Sequence, residues 1–231
     1  MYIITGTSTG IGRALAVHFL KKGERVLGIS RRNDIKHDNF IFVKCDFTER
    51  QQMHDLDLSP YFEEANYPIT LINNAGVLGD IKRSHEVTLT HYADLSMVNI
   101  VAPQFLCSYV LQSVGFDNVK AIVNMSSGAG SRPVPSWAAY CASKAAINLF
   151  SETLAAEIEE LNKPTKVYSV APGVVDTNMQ KYIRSSEDRN FSAKQNFVDL
   201  YENEELRSPE EVAELLDTFL EENHHDVITR I

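Results

Sequence analysis

The sequence predicts an α/β fold, a single doubly wound, Rossmann-type domain with a parallel sheet and helices on both faces. Short β-rich runs alternate with longer helical runs, which is typical of parallel strands joined by right-handed crossovers. The length of 231 residues and the hydrophobic content of 44% suit one domain of ordinary size. Because no linker or repeat interrupts the alternation, we expect residues 1–231 to form one domain.

The first half of the chain is predicted to supply four strands and two helices, recognised by apolar runs of strand length and by helical periodicity. In order, these are a strand at 2–5, a helix at 10–23 closed by Gly23, strands at 25–30 and 40–46, a helix within the polar stretch 48–66, and a strand at 69–76.

The second half continues the same alternation. In order, we predict a helix at 89–114 bent near Pro103, a strand at 120–127, a helix rich in small residues at 137–161, a strand at 165–173, a polar irregular stretch at 178–208, a helix at 208–222 and a strand at 226–231. Ser208 and Glu211 have the spacing of a capping box, which marks the start of the last helix.

Composition excludes several classes of function. The net charge of −9 argues against a nucleic-acid surface, which needs a basic face. No uninterrupted apolar run approaches the roughly 20 residues of a membrane span, and no secretory signal is visible at the N-terminus, so we expect a cytoplasmic protein with no membrane partner. The three cysteines are widely spaced and are expected to be reduced. Adjacent His224 and His225 have no distant partner ligand, so no metal is expected.

The first strand ends in a glycine-rich turn, T-G-T-S-T-G-I-G. Gly6, Gly10 and Gly12 permit a tight turn and a close backbone approach just before a helix begins. The free N–H groups and dipole of that helix attract a pyrophosphate, and the turn residues Ser8, Thr9 and Ile11 share the site. An ordinary strand-to-helix turn is the alternative, but the position at the first βα junction favours nucleotide binding.

The next two strand ends indicate which nucleotide binds. The second strand is followed by Arg31 and Arg32, where NAD-binding sites usually place an acid, and a guanidinium can pair with a 2′-phosphate. NADP(H) is therefore expected, with Arg31 as the main residue that binds the 2′-phosphate and with Arg32 and Ser8 as additional binding residues. For Arg32, an exposed surface position without this role is the alternative. Asp46 and Phe47 end the third strand, where Asp46 is predicted to accept from the adenine amino group or to cap a helix.

Small and amide residues follow the fourth strand. Asn74, Ala75 and Gly76 would let a flat ring approach, although alone they read as a turn. Asn99 stands in an otherwise apolar part of a helix, where a buried amide needs partners or a local kink. A satisfied core amide is the alternative to a functional one.

Tyr140 and Lys144 lie one helical turn apart on the same face of the helix at 137–161, and Ser127 ends the preceding strand. A nearby ammonium favours the phenolate, so Lys144 is predicted to lower the pKa of Tyr140 from about 10 by up to about three units. The three residues together would form a proton-donating site.

These motifs, in this order and spacing, resemble the short-chain dehydrogenase/reductase family over nearly the whole chain. The resemblance implies a catalytic set of Asn99, Ser127, Tyr140 and Lys144, a nicotinamide dinucleotide cofactor, and a cofactor clamp after the sixth strand. The clamp and the residues beside it would be Pro172, Gly173, Val175, Thr177 and Met179. The family resemblance also implies a homodimer formed through the helices at 89–114 and 137–161.

A narrower resemblance joins the chain to the branch of benzil reductases that form (S)-benzoin and of sepiapterin reductases, through S-W-A-A-Y-C-A-S-K-A-A and P-G-V-V-D-T-N-M-Q. It implies NADPH-dependent reduction of a ketone or 1,2-diketone, with Tyr140 as proton donor. Sepiapterin reductases carry a pterin-binding aspartate where this chain has Arg207 and Ser208. A pterin reductase, a non-catalytic NADP-binding regulator and an NAD-dependent alcohol dehydrogenase are the alternatives.

Residues 178–208 are predicted to form a lid over the substrate. Its apolar members either cover an apolar substrate or pack the lid onto the body: Met179, Tyr182, Phe191, Phe197 and Tyr201. Trp137, just before Tyr140, is predicted to line the substrate site with Ser127, Tyr140 and Met179, and a core position is its alternative.

Overall fold

The computed structural model describes residues 1–63, 68–187, 189–222 and 224–231. Within them lies a parallel sheet of seven strands in the order β3-β2-β1-β4-β5-β6-β7. The strands are β1 (Tyr2–Thr5), β2 (Val26–Ser30), β3 (Phe40–Lys44), β4 (Ile69–Asn73), β5 (Val119–Met125), β6 (Lys166–Ala171) and β7 (Ile228–Arg230). The order reverses between β1 and β4, the switch point at which doubly wound sheets bind ligands. The predicted fold class is confirmed.

Helices cover both faces of the sheet. They are α1 (Gly10–Lys21), α2 (Arg50–His54), α3 (Ser59–Phe62), α4 (Leu89–Ser96), α5 (Ala102–Val114), α6 (Ala138–Glu160), α7 (Asn178–Arg184), α8 (Lys194–Glu202) and α9 (Pro209–Glu221). One face of the sheet packs against α5 and α6 through residues such as Leu106 and Ile158. The other packs against α1 and α9 through residues such as Phe19 and Leu216. The sheet is therefore buried on both faces, as its apolar strands predict.

Two predicted helix ends have the expected geometry. Gly23 has φ +84° just after α1, and the Gly23 and Glu24 amides donate to the Leu20 and Phe19 carbonyls in a Schellman motif. At α9, the Ser208 hydroxyl accepts from the Glu211 amide at 3.1 Å, and the Glu211 carboxylate accepts from the Ser208 amide. Both ends follow from local residue chemistry.

The long helix predicted at 89–114 is interrupted where the sequence places Pro103. A π-helical turn, Met97–Val101, separates α4 from α5, and Pro103 lies in the first turn of α5. Proline has no N–H, so the Asn99 carbonyl lacks the donor that an α-helix would supply four residues later. The predicted bend is thus a π-turn centred on Asn99.

The helical stretch Leu89–Val114 is long and apolar enough, with a mean hydropathy of 1.3, to resemble a membrane span by length and composition alone. Asn99, Gln104 and Ser108 interrupt its apolar residues, which is why the sequence shows no continuous apolar run of this length. Leu106 and Val110 of this stretch are fully buried in the core against the sheet, so it serves here as a core helix.

Two predicted regions differ in detail. The stretch 48–66 holds two short helices, α2 and α3, and residues 64–66 lie outside the described part of the chain. The stretch 178–208, expected to be irregular, contains the helices α7 and α8. The prediction failed there because α7 buries only Gln180 and Ile183 and α8 buries no residue, which is too few to show a helical period.

Candidate active site

The predicted site residues converge on the carboxyl edge of the sheet. Six segments lie at this edge: the turn after β1, the loop after β4, the π-turn, the end of β5, the first turns of α6 and the loop after β6. Parallel strands carry all their carboxyl ends to one side, so segments far apart in sequence meet there. Arg31, Asp46 and Phe47 follow the neighbouring strands β2 and β3 on the same edge.

The glycine-rich turn has the close packing that its sequence predicts. Gly6 has φ +75°, a conformation that side chains with a Cβ rarely adopt. A Cβ on Gly12 would lie 2.4 Å from both the Gly6 carbonyl oxygen and the Asn74 amide nitrogen. The turn is thus a backbone-lined cradle at the start of α1, and Ser8, Thr9, Gly10 and Ile11 are not fully buried in it. This arrangement fits the phosphates of a dinucleotide.

The loop after β4 is tied to β1 by two hydrogen bonds. The Asn74 side chain donates to the Thr5 carbonyl at 2.9 Å, and the Ala75 amide donates to the Thr5 hydroxyl at 2.9 Å. Thr5 was not singled out from the sequence, and its position as the last residue of β1 was the only available signal. At Gly76, a Cβ would meet Lys144 Nζ at 3.5 Å and Asn99 Oδ1 at 3.6 Å. Gly76 therefore leaves room beside the predicted catalytic residues.

Arg31 is exposed at the end of β2, with 65% of its side chain accessible and its Nη1 atom 4.0 Å from Asp46 Oδ2. Asp46 Oδ1 accepts from the Thr48 amide at 3.0 Å and its hydroxyl at 2.9 Å. Asp46 does not cap a helix, because Glu49 is the N-cap of α2; it begins an Asx turn instead. The Phe47 side chain is buried in the core, so any cofactor contact there would come from its backbone.

Asn99 is almost fully buried, and its side chain is satisfied within the protein. Oδ1 accepts from the Val77 amide at 2.9 Å, while Nδ2 donates to the Val77 carbonyl at 2.8 Å and to Ser143 Oγ at 3.1 Å. The core-amide interpretation therefore accounts for the side chain. A water-holding role in proton relay stays a prediction, and it would fall to the Asn99 carbonyl, which Pro103 deprives of its α-helical donor.

Tyr140 is buried in the first turns of α6 and is paired with Ser127. Burial raises the pKa of the Tyr140 phenol to about 12, and a hydrogen bond with the Ser127 side chain acts in the opposite direction. Ser127 Oγ also accepts from the Ala129 amide at 3.2 Å, which fixes the side chain at the end of β5. The pair presents one donor and one orienting hydroxyl to the open edge.

Lys144 does not lower the pKa of Tyr140 in this structure, and that prediction is wrong for the protein without a cofactor. Lys144 Nζ lies 5.7 Å from the centre of the Tyr140 ring and donates to the Met125 carbonyl at 2.8 Å. Burial lowers the pKa of Lys144 itself to about 8. Burial disfavours the charged form of both residues. Its effect on the two pKa values is larger than that of the attraction between ammonium and phenolate that their spacing implies.

An apolar cluster joins Tyr140 to the predicted lid. Trp137 meets Tyr140 edge to face at 5.7 Å between ring centres and stacks on Phe191 at 5.0 Å, and Phe197 lies 5.4 Å away. Met179 packs against the same cluster. Trp137 and Tyr140 line a cavity of about 10 Å³ together with Leu78, His91 and Tyr92, which is room for one water molecule and too small for a ketone.

The loop after β6 is held against the glycine-rich turn and the start of α9. Thr177 Cγ2 lies 3.3 Å from the place of a Cβ on Gly10. Val175 forms an isolated parallel bridge with Arg207, whose guanidinium donates to the Pro172 carbonyl at 3.2 Å. Gly173 takes φ +80° beside that guanidinium. The Arg207 guanidinium is thus hydrogen-bonded to the loop, and the neighbouring residue Ser208 caps α9.

Comparisons with known proteins agree with this geometry. The family model described as short chain dehydrogenase matches residues 1–188. The chain is 37% identical over 226 residues to a benzil reductase ((S)-benzoin forming) of Bacillus subtilis, covering 96% of this chain and 93% of the relative. It is 36% identical over 234 residues to a protein of the same name from Bacillus cereus, covering 95% and 93%.

A solved structure adds agreement in three dimensions. The YIR035C short chain dehydrogenases/reductase from Saccharomyces cerevisiae superposes with a TM-score of 0.84 at 29% identity, over 99% of this chain and 94% of that one. Members of the matched family are oxidoreductases that bind NAD or NADP, and the glycine cradle at the carboxyl edge suits such a cofactor. The chain belongs to the short-chain dehydrogenase family.

Proposed function

We propose that the protein is an NADPH-dependent carbonyl reductase that acts on aromatic 1,2-diketones or similar ketones, with Tyr140 as the proton donor. The observation that carries the proposal is the buried Ser127–Tyr140 pair at the carboxyl edge of the sheet, with Lys144 one turn further along α6. The names of the two bacillary relatives support the substrate class.

The aromatic cluster supports an apolar substrate with a second hydrogen-bond acceptor. The Trp137 indole nitrogen is buried and donates to no atom in the part of the chain that the structure describes. A buried donor without a partner costs about 1–3 kcal/mol, which a ligand can recover. The second carbonyl oxygen of a 1,2-diketone would supply the missing acceptor beside Tyr140, whereas Phe191 and Phe197 would be displaced by, or stack upon, the aromatic rings.

In the proposed mechanism the cofactor supplies hydride to the ketone carbon. The Tyr140 phenol donates its proton to the oxygen as negative charge develops there. Ser127 donates a hydrogen bond to the same oxygen and orients it. Lys144 holds the nicotinamide ribose and returns a proton toward Tyr140, and its lowered pKa of about 8 lets it gain or lose that proton near neutral pH. Asn99 would hold a water molecule that relays protons. The loop from Pro172 to Thr177 would clamp the cofactor.

A panel of substrates tests the function. Purified protein with NADPH should consume the cofactor faster on an aromatic 1,2-diketone than on the monoketone in which the second carbonyl is replaced by methylene. It should consume NADPH faster on either ketone than on a pterin, because Arg207 stands where sepiapterin reductases carry their pterin-binding aspartate and donates to the Pro172 carbonyl. Chiral chromatography of the hydroxyketone gives the stereochemistry. NADPH binding without turnover on any carbonyl would contradict the proposal and favour a non-catalytic NADP-binding regulator.

Arg31 decides the cofactor preference in this proposal. Arg31→Ala should lower kcat/KM with NADPH by about 10-fold to 100-fold, the value of a charge-assisted bond to phosphate, and leave kcat/KM with NADH within about twofold. Arg32→Ala separates the two arginines, because Arg32 is adjacent and exposed but is predicted only as an additional binding residue, so its loss with NADPH should be smaller than that of Arg31→Ala. Steady-state kinetics with both cofactors measures the effect. Equal losses with NADPH and NADH would show that Arg31 does not read the 2′-phosphate, and would reopen the NAD-dependent dehydrogenase.

We also propose that the enzyme is a cytoplasmic homodimer. Leu149 on α6 and Val101 just before α5 are exposed by 66% and 41%, which supports apolar pairing of these helices with a second copy. The free thiols of Cys45, Cys107 and Cys141 suit a reducing compartment. Sedimentation equilibrium measures the assembly, and a monomer at micromolar concentration would contradict the proposed dimer.

A further inference from the structure

A row of polar contacts fixes α6 against the end of β5. The helix residues recur at intervals of four, four and three, so they share one face. Going along the helix, the contacts join Tyr140 to Ser127, Lys144 to the Met125 carbonyl at 2.8 Å, Asn148 to Ser126 at 2.6 Å, and Ser151 to Asn124 at 2.9 Å. The axial position of Tyr140 relative to Ser127 therefore depends on contacts further along the helix.

Asn148 makes the most extensive of these contacts. Its side-chain oxygen is buried and accepts from two hydroxyls, Ser126 Oγ at 2.6 Å on the β5 side and Ser169 Oγ at 2.7 Å on β6. The Ser126 amide donates to the Val170 carbonyl at 2.7 Å, so the residue before Ser127 is held from two directions. One carboxamide thus locks α6 onto two adjacent strands where the strands end.

Asn148 also packs against the turn at Gly130, which follows Ser127 in the chain. Its Nδ2 atom lies 2.8 Å from the place of a Cβ on Gly130, and the Lys144 carbonyl lies 3.0 Å from the same place. The Gly130 amide donates to the Ser127 carbonyl at 2.9 Å. The segment that carries Ser127 is therefore in contact with Asn148 both before and after Ser127, although Asn148 contacts neither Ser127 nor Tyr140 through a hydrogen bond within the described residues.

We propose that Asn148 is a positioning residue that keeps Ser127 hydrogen-bonded to Tyr140. It acts by holding the 126–130 segment against α6, and the inference rests on the proposed carbonyl reduction for its kinetic consequence. A small displacement of Ser127 would weaken both its bond to Tyr140 and its bond to the substrate oxygen. Such misplacement lowers turnover more than it lowers cofactor binding.

The test compares four variants. Asn148→Leu removes the acceptor while keeping the number of side-chain heavy atoms and should lower kcat by about 10-fold to 100-fold while KM for NADPH changes by about twofold or less. Ser126→Ala removes the donor of the same contact and should lower kcat similarly, which keeps the test open if the leucine variant does not fold. Asn148→Asp keeps an acceptor for both hydroxyls and should recover most of the turnover.

Ser151→Ala is the matched control. It deletes a bond on the same helix face, to Asn124, without touching the 126–130 segment. It deletes two buried hydrogen bonds, one from Asn124 Nδ2 and one to the Ile147 carbonyl at 2.8 Å, so it should lower the melting temperature at least as much as Ser126→Ala does and leave kcat unchanged. If the loss of kcat were proportional to the loss of melting temperature in every variant, Ser151→Ala included, the proposal would be overturned. An aspartate variant no better than the leucine variant would also overturn it.

Hydrogen exchange separates this inference from the proposed function. The Ala129 and Gly130 amides, which bond to Ser127, should exchange faster in Asn148→Leu than in Ser151→Ala. This readout needs no substrate. If the wild-type protein reduces no carbonyl, the function fails while the exchange data still decide whether Asn148 holds the segment. Unchanged exchange at both amides would reject the role of Asn148.

Discussion

Tyr140→Phe is expected to lower kcat for ketone reduction by about 10²-fold to 10⁴-fold, the usual contribution of a positioned general acid. The substitution removes only the hydroxyl that donates the proton, and the ring keeps its edge-to-face contact with Trp137. The affinity for NADPH should stay within about twofold, because the substitution removes one atom and leaves the glycine-rich turn unchanged. Stopped-flow or steady-state NADPH oxidation measures the loss, and fluorescence titration measures binding.

Tyr168→Phe is the matched control for this prediction. Tyr168 is another buried tyrosine, on β6, and it packs against Phe219 of α9 on the opposite side from the lid cluster. Its substitution should leave turnover unchanged. Turnover by Tyr140→Phe that equals the wild-type rate would remove Tyr140 from the mechanism. A parallel loss of NADPH affinity would make Tyr140 a binding residue instead.

The raised pKa of Tyr140 keeps the residue in the protonated form that reduction uses. Reduction uses the phenol, and a phenol with a pKa of about 12 is protonated throughout the neutral range. Oxidation of an alcohol would need the phenolate, which at pH 9 would be about a thousandth of the population. In the cofactor-free protein, the burial that makes Tyr140 a weak acid also keeps its proton in place for donation to an alkoxide.

Local chemistry explains what the sequence could predict. Gly6, Gly12, Gly23 and the Ser208 cap occur where backbone geometry or an unpaired amide requires those residue types. Strand alternation then places every strand end on one edge, so Ser127 and Tyr140 were expected to meet although no local pattern joins them. Cofactor contacts such as those of Arg31 stay predictions, since the structure contains only the protein chain.

Tertiary burial explains what the sequence could not predict. The spacing of Tyr140 and Lys144 gives their proximity, but the direction of each pKa depends on how much water the lid and the sheet exclude. Likewise, Ile183 of α7 and Phe191 of the loop before α8 are buried in the cluster around Trp137, and neither short helix is recognisable from the sequence without that tertiary packing. Asn148 lies two turns after Tyr140 on the same face, and this spacing was the one signal available for it.

Lys144→Met should lower kcat by about 10²-fold to 10³-fold, the usual cost of removing one preorganised donor, because the site loses its cation. The same substitution should change how stability depends on pH. The pKa of Lys144 is lowered from 10.5 to about 8 by burial, so the unfolded chain binds more protons than the folded protein between these values. The stability of the wild type therefore rises relative to Lys144→Met as pH increases across this window, by about 3 kcal/mol in total.

Urea unfolding of the cofactor-free proteins at pH 7 and pH 10.5 measures this difference, with Lys166→Met as the control. Lys166 is exposed on β6, so its substitution removes no buried charge. At pH 7 the wild type holds a buried charge that methionine lacks, whereas at pH 10.5 the buried amine is neutral and still donates to the Met125 carbonyl. A constant offset between wild type and Lys144→Met across this range would mean that Lys144 titrates as an ordinary lysine. Lys144 would then stay protonated throughout the neutral range, and a lowered pKa could not be what lets it gain or lose a proton there.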